Sequence, residues 1–493
     1  MHPIWNLQNG SDIRGVALEG REGESVNLTD ETAAQIAAAF AKWLKEIRGI
    51  QSPVVCIGRD SRLSGESLTE GIVRGLRTQN VRVFDFGLAT TPAMYVSTKS
   101  EMVNADGAIM VTASHLPYNR NGMKFFCKSG GLDKNDIAQI LKFVEISQSN
   151  NYVDNISEKL DFMSSYAESL VSYIREKTAE TKPLSGFHII VDAGNGSGGF
   201  FVNKVLITLG ADTSGSVYLD PDGRFPNHVP NPENVGIMRD FSKIVVNQKA
   251  DLGIIFDTDV DRAALVDADG TPIARNRLIA LISDNILFEY PGSTIVTDSV
   301  TSASLNKYIE SRGGVHHRFQ RGYNNVIKEA KRLNAESVDC ALAIETSGHC
   351  ALRENDFLDD GAFLVIKLLV RYVQMRRQGR TIADVLADYS DPVESAELRP
   401  KFEREDFKTY GAALLEDFAV FAKNVPGWDI ETPNYEGVRV NCAKGAGDGW
   451  VLMRLSLHDP ELPINIESDS EGGVSMIRTK MIDFLKQYDV ILP

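Results

Sequence analysis

The strongest constraint on this chain is an alternation that recurs from one end to the other. Short β-branched apolar runs end abruptly in polar or glycine-rich loops, and longer amphipathic segments follow them. Pro53-Val-Val-Cys-Ile-Gly58, residues 81–86, 107–112, 187–192, 251–256 and 293–297 are such runs. The pattern specifies α/β domains with largely parallel sheets, because strands buried on both faces read as continuous apolar runs. At 493 residues the chain is too long for one core, and about 150 residues per domain implies three or four. A helix is expected from Asp30 to Arg48, capped at Thr29 or Asp30 and stopped by Gly49, and another from Ala362 to Gln378. Breaks at Lys182-Pro183, near Pro291-Gly292 and across residues 381–400 divide the chain into 1–181, 182–290, 291–385 and 386–493. The first three are read as mixed α/β domains and the last as a smaller α+β domain.

Charge narrows the partners. With 52 basic and 67 acidic residues the net charge is −15, which argues against a broad nucleic-acid surface but leaves room for a local basic cleft. Five scattered cysteines form no CxxC pair, so a reducing compartment is expected rather than a disulfide or zinc framework. No apolar stretch approaches the ~20 residues that span a bilayer, and the N-terminus lacks a secretory pattern. A cytoplasmic protein, monomeric or dimeric, acting on small molecules and not on membranes, is the expectation.

Four loops carry chemistry. Asp257-Thr-Asp-Val-Asp-Arg262 places three carboxylates at alternate positions directly after a buried strand, where they can converge on one hard cation, with Mg²⁺ favoured. An EF-hand fits poorly, since its sixth position is Arg262 and its twelfth Ala268. A haloacid-dehalogenase-type phosphatase would make Asp257 a nucleophile, but that pattern usually opens its domain. Val111-Thr-Ala-Ser-His-Leu-Pro117 offers Ser114 beside His115, with Lys124 downstream, and is not a GxSxG elbow. Ile344-Glu-Thr-Ser-Gly-His349 alternates Glu345, Ser347 and His349, suited to vicinal hydroxyls. Arg454-Leu-Ser-Leu-His-Asp-Pro460 suits an anion such as phosphate. Taken singly, the serine, sugar and phosphate loops are each matched by a plain reading as a cap, turn or polar strand end.

In this order the loops resemble the α-D-phosphohexomutase superfamily, which includes phosphoglucomutase and phosphomannomutase. The TASHNP, DGDxDR, GExSGH and RxSxTEP patterns match residues 112–117, 257–262, 344–349 and 454–460. Lesser matches are Ser11-Asp-Ile-Arg-Gly15, Gly58-Arg-Asp-Ser-Arg62, Asp192-Ala-Gly-Asn-Gly196, Pro221-Asp-Gly-Arg-Phe-Pro226 and Asp359-Asp-Gly361. The resemblance implies four domains around a central cleft and a mutase exchanging hexose 1- and 6-phosphates of glucose or mannose. It makes Ser114 the phosphoryl carrier and a metal ligand with Asp257, Asp259 and Asp261, and hexose 1,6-bisphosphate the intermediate and activator. Arg262 and Arg14 assist the transfer. Lys124 is the candidate acid/base, with His115 and His349 as alternatives. Glu345, Ser347, Arg321, Arg454, Ser456 and His458 bind substrate.

Leu116, Thr258, Ile344, His458 and Asp459 depart from the patterns, and Pro463 stands where many members carry a second arginine. A weaker phosphate clamp would suit a hexose 1,6-bisphosphate synthase. The departures resemble the cyanobacterial and plastid branch, and a plant homologue would then be stromal. A phosphoglucosamine mutase usually carries Gln where Thr346 stands. A catalytically reduced sugar-phosphate-binding regulator would have no need for Ser114 and all three aspartates.

Overall fold

The computed structural model describes residues 3–146, 156–456 and 459–492. Packing divides the chain into two compact units: Met1–Ala274 with Ser347–Arg380, and Arg275–Thr346 with Thr381–Pro493.

The first unit contains an eight-stranded sheet. Its centre runs Asp12–Val16, Arg120–Cys127, Gly107–Val111, Val54–Arg59, Arg82–Leu88. The last three pair in parallel, whereas Arg120–Cys127 is antiparallel to both of its central neighbours. The sheet is therefore mixed, with a smaller parallel share than the largely parallel pairing that the apolar runs suggested. Strand Arg120–Cys127 is buried on both faces, and burial alone cannot distinguish direction.

Helix Asp30–Glu46 starts where Thr29 caps it, through an N–H of Thr32 at 3.1 Å from Thr29 Oγ1. Asp30 and Glu31 sit in its first turn, Lys45 in its last. Its Ile36, Phe40, Trp43 and Leu44 pack on Ile57, Ile109, Val111 and Phe125 of the sheet. Helix Gly65–Arg77 comes so close that a Cβ at Gly71 or Gly75 would lie 2.1 Å from Asp30 O or 2.0 Å from Ala34 O.

A second, four-stranded sheet pairs Ile189–Asp192 in parallel with Leu252–Phe256, followed by Ala263–Asp267 and Pro272–Ile273 antiparallel. The hairpin Cys350–Leu352/Leu358–Asp359 then leads into helix Gly361–Arg377, capped by Asp360 through the Phe363 N–H at 2.8 Å. Tyr166, on helix Phe162–Thr178, donates to the same carboxylate at 2.7 Å.

In the second unit, parallel strands Val315–Phe319, Thr294–Asp298 and Cys340–Ile344 lie among helices Arg275–Glu289, Ala303–Ser311 and Tyr323–Ala335. The C-terminal sheet is wholly antiparallel: Glu394–Leu398, Ile464–Ser468, Gly449–Met453, Val438–Cys442, Trp428–Ile430. Helices Phe407–Lys423 and Gly473–Leu485 contribute Leu414, Phe418, Ile477, Met481 and Phe484 to its core. No helix among the described residues is long and apolar enough to cross a membrane.

Candidate active site

Two loops of the first unit meet at the C-terminal ends of their strands, where α/β folds place ligands. One follows Gly107–Val111 and carries Ser114; the other follows Leu252–Phe256 and carries the aspartates. Ser114 adopts φ +50° and is buried. Its Oγ donates to Asp257 Oδ2 at 3.0 Å and accepts from Arg262 Nη2 at 3.1 Å.

Val260 lies at φ +65°, a left-handed conformation that is an outlier for a β-branched residue. That turn brings Asp257, Asp259 and Asp261, all buried, to where one ligand atom from each lies within 4.8 Å of the others. Lys124 Nζ contacts Asp259 Oδ2 at 2.9 Å and Asp261 Oδ2 at 2.5 Å, and Thr91 Oγ1 donates to Asp259 Oδ2 at 2.5 Å. Asp259 Oδ1 and Asp261 Oδ1 are buried with no hydrogen-bond partner. Two orphaned carboxylate oxygens in a hard-donor cluster fit a divalent cation held by oxygen ligands.

The electrostatics follow from crowding. Burial, then the Asp261 charge, pushes Asp257 well above the usual carboxylate range. Burial also opposes ionisation of Asp261, but Lys124, His349 and Arg262 outweigh it and hold that carboxyl down. Burial pulls the Lys124 ammonium down, yet Asp259 and Asp261 keep it well above its ordinary value. His349 donates from Nδ1 to Asp359 Oδ2 at 2.6 Å; despite burial, Asp359 and Asp261 raise it to about 9. His115 is open to solvent on one side. Desolvation on the other, with Arg262 and Arg14 nearby, lowers it, and its Nδ1 accepts from Arg262 Nη2 at 2.8 Å. Arg14 donates to Thr112 O and Asp12 Oδ2, each at 2.8 Å.

The structure thus gathers Ser114, His115, Lys124, Arg14, Arg262, His349 and the three aspartates within the first unit, which also contains Ser347. Glu345, Arg321, Arg454 and Ser456 lie in the second unit. There Glu345 Oε1 accepts the Gly322 N–H at 2.6 Å, next to Arg321, whose Nε is 3.9 Å from Asp298 Oδ2. Gly348 at φ +96° interrupts the simple alternation expected for Glu345, Ser347 and His349. Arg454 is buried, its Nε has no hydrogen-bond partner, and its nearest counter-charge is Glu436 at 3.9 Å. Ser456 Oγ accepts the Asp459 N–H at 3.2 Å, and Pro463 O accepts the Arg454 N–H at 3.1 Å. His458 lies outside the described residues. Thr91, Asp359 and Asn231 were not singled out as site residues. Thr91 precedes Pro92 at a helix start and Asp359 opens Asp359-Asp-Gly361, cues that read equally as caps.

A buried serine hydroxyl, a paired arginine and three converging carboxylates are the groups that metal-assisted phosphoryl transfer calls for. Models of the phosphoglucomutase/phosphomannomutase α/β/α domains match the chain in order: domain I over residues 6–150, domain II over 164–270 and domain III over 274–391. The phosphomannomutase/phosphoglucomutase of Pseudomonas aeruginosa is 30% identical over 483 residues, covering 98% of this chain and 96% of that protein. The phosphoglucomutase of Neisseria gonorrhoeae is 29% identical over 475 residues, covering 95% and 94%. The crystal structure of a Burkholderia thailandensis phosphoglucomutase/phosphomannomutase family protein aligns with TM-score 0.80 at 25% identity, covering 100% and 99%. This chain belongs to the phosphoglucomutase/phosphomannomutase family of the α-D-phosphohexomutase superfamily, and it is a mutase enzyme.

Proposed function

We propose that this mutase interconverts hexose 1-phosphate and hexose 6-phosphate, of glucose, mannose or both, through a phosphorylated Ser114 and a hexose 1,6-bisphosphate. The observation that carries the reading is Ser114 Oγ, buried 3.0 Å from Asp257 and 3.1 Å from Arg262. The Ser114 Oγ–P bond breaks as the free hydroxyl of the bound monophosphate bonds phosphorus. The bisphosphate then reorients and returns its other phosphoryl group to Ser114. Added bisphosphate acts as activator by phosphorylating a bare Ser114.

Asp257, Asp259 and Asp261 would hold Mg²⁺ together with the Ser114 phosphoryl group. Bound there, the ion supplies Lewis-acid neutralisation of the transferring group. Arg262 reaches Ser114 Oγ directly, so its guanidinium meets the charge that develops when the Oγ–P bond opens. Arg14 assists from Thr112 O. The proton of the attacking hydroxyl is handled by the set Lys124, His349 and His115, with Asp359 fixing the His349 ring through Nδ1. Glu345 and Ser347 bind sugar hydroxyls, while Arg321, Arg454, Ser456 and His458 bind the non-reacting phosphate. Arg454 supports that role by being a buried cation with a distant counter-charge.

The test supplies Mg²⁺, glucose or mannose 1-phosphate and a trace of the matching bisphosphate, and follows the 6-phosphate. Ser114→Ala should abolish turnover, and peptide mapping should place phosphate on Ser114. Phosphate on Asp257 would instead mark a phosphatase. No conversion of either sugar phosphate sinks the proposal, and net accumulation of bisphosphate from a phosphoryl donor would replace it with a synthase.

A further inference from the structure

Two loops with no role in the reaction so far, Gly58-Arg-Asp-Ser-Arg62 and Pro221-Asp-Gly-Arg-Phe-Pro226, pack behind the nucleophile. Arg62 is almost fully buried, yet it is not a substrate-facing group. Its Nη2 donates to Ser114 O at 2.5 Å and Leu116 O at 2.6 Å, and its Nη1 to Pro117 O at 2.7 Å and Arg120 O at 2.9 Å. All four acceptors are main-chain carbonyls, three in the serine loop and the fourth at the start of the strand that follows it. Asp60 works on the other side of the same residue. It accepts the Thr112 hydroxyl at 2.7 Å, and Thr112 Oγ1 accepts the Ser114 N–H at 2.9 Å. Asp60 in turn accepts the Arg62 main-chain N–H at 2.9 Å and forms an ion pair with the Arg62 guanidinium, Nε lying 3.3 Å from Asp60 Oδ2 without a hydrogen bond. The peptide groups before and after Ser114 are therefore tied to one Asp–Arg pair on the neighbouring parallel strand's loop. A serine at φ +50° needs such over-determination to persist.

We propose that Arg62 is a positioning residue, clamping the serine loop so that Ser114 Oγ stays in register with Asp257 and Arg262 as phosphate comes and goes. The inference rests on the phosphoserine reading above. Each cycle adds and removes about −1.5 to −2 charges at Ser114, beside carboxylates that repel the phosphorylated form. A loop free to recoil would lose the 3.0 and 3.1 Å contacts of Oγ, since their partners sit on a different strand's loop. The guanidinium fork suits the task because it serves four carbonyls at once, which a lysine cannot. The second loop roofs the clamp. A Cβ at Gly223 would fall 2.4 Å from Ser61 O, 2.5 Å from Leu63 N and 2.6 Å from Arg62 Cα, all backbone atoms. The Phe225 ring lies 5.2 Å from the Arg62 guanidinium carbon. Gly223 is thus demanded by the close approach, and a methyl group there would push on Arg62 without touching the reacting atoms.

The test uses the full chain with Mg²⁺ and hexose phosphates, comparing Arg62→Lys, Arg62→Ala and Gly223→Ala with the wild type. A displacement near 1 Å predicts kcat lower by about 10²-fold in Arg62→Lys, with KM changed by less than about threefold. Activity is normalised to phosphate bound at Ser114, so unfolded enzyme does not count. Millimolar guanidinium should restore at least about tenfold of the Arg62→Ala activity. Amide exchange should accelerate in residues 112–122 while strand Val54–Arg59 stays protected. A normalised kcat within about threefold of wild type in Arg62→Lys, or unchanged exchange in the loop, overturns the proposal. If Arg62→Ala does not fold, Arg62→Lys and Gly223→Ala decide. A wild type that converts neither sugar phosphate refutes the mutase reading alone, and loop exchange then still judges the clamp.

Discussion

Replacing Arg262 separates what its charge does from what its shape does. The guanidinium makes contacts in four directions: Nε to Asp257 at 3.1 Å, Nη2 to Ser114 Oγ at 3.1 Å and to His115 Nδ1 at 2.8 Å, and Nη1 to Asn231 at 3.4 Å. Arg262→Lys keeps the positive charge among the carboxylates but cannot span these partners. The Asp257 contact survives, so the stability cost is limited to the stranded His115 and Asn231 acceptors. His115 is open to water, which leaves about 1 kcal/mol. The lost donor to Ser114 Oγ is worth far more in the transition state, about 10²–10³ in kcat, or roughly 3–4 kcal/mol. Arg262→Met removes the charge as well. Buried Asp257 then loses its ion-pair partner, since Lys124 pairs with Asp259 and Asp261, and breaking a buried pair from one side costs about 3–5 kcal/mol. The assay pairs hexose phosphate turnover with urea unfolding. The Lys variant should be crippled in kcat while unfolding at nearly the wild-type midpoint, and the Met variant should fail both. A Lys variant within about tenfold of wild-type kcat, or a Met variant as stable as wild type, would refute the reasoning.

Added Mg²⁺ should stabilise the wild type, by about 2.7 kcal/mol at a hundredfold excess over Kd, and Asp261→Asn should abolish the shift along with activity, read by melting with and without chelator. Glu467, on strand Ile464–Ser468, is raised by burial from 4.5 to about 7, although Trp450 Nε1 donates to it at 2.9 Å. The folded state holds that proton where the unfolded state has released it, so stability falls as pH rises from about 4.5 to about 7. Glu467→Gln keeps an acceptor for Trp450 and should gain on the order of 3 kcal/mol above pH 7 and nothing below about pH 4.5, measured by melts across pH. Ala179 ends helix Phe162–Thr178 at φ +56°, so Ala179→Gly should stabilise the fold by about 1 kcal/mol with unchanged kcat.

The elements that periodicity and caps determine were legible from sequence. Helix Asp30–Glu46 begins at Thr29 as its cap chemistry requires, and helix Gly361–Arg377 falls within a residue of the expected bounds at each end. The convergence of the aspartate loop was legible because its chemistry is local. Three aspartates after a buried strand converge whatever surrounds them, and Val260 at φ +65° supplies the turn. Strand direction was not legible: Arg120–Cys127 mixes Arg120, Asn121 and Lys124 with apolar residues in a pattern that fixes no direction, and it runs antiparallel to Gly107–Val111 because of how the chain returns. Lys124 on that strand therefore reaches Asp259 and Asp261 from 135 and 137 residues away in sequence, a pairing no local pattern encodes. Arg62 and Asp60 were visible only as a short motif. Their acceptors are main-chain carbonyls, which leave no trace in side-chain sequence.

The net −15 of the whole chain says little about the site, where the balance is much finer. His349–Asp359 and Arg14–Asp12 each cancel as pairs. With all three aspartates ionised, as a bound cation requires, what remains is three buried carboxylates against two buried cations, Lys124 and Arg262, a deficit of one positive charge. A phosphoryl group on Ser114 deepens that deficit by about 1.5–2 charges. In the bare state a divalent cation overshoots neutrality; in the phosphorylated state it brings the cluster close to it. Cation affinity and phosphorylation must then strengthen each other by the same factor, because coupling between two ligands is reciprocal. A protein that hands its phosphoryl group to a sugar loses that mutual support at the moment of transfer. The loop bearing Ser114 then holds position through neutral carbonyls bound to Arg62, contacts whose strength does not depend on which charge state the serine is in.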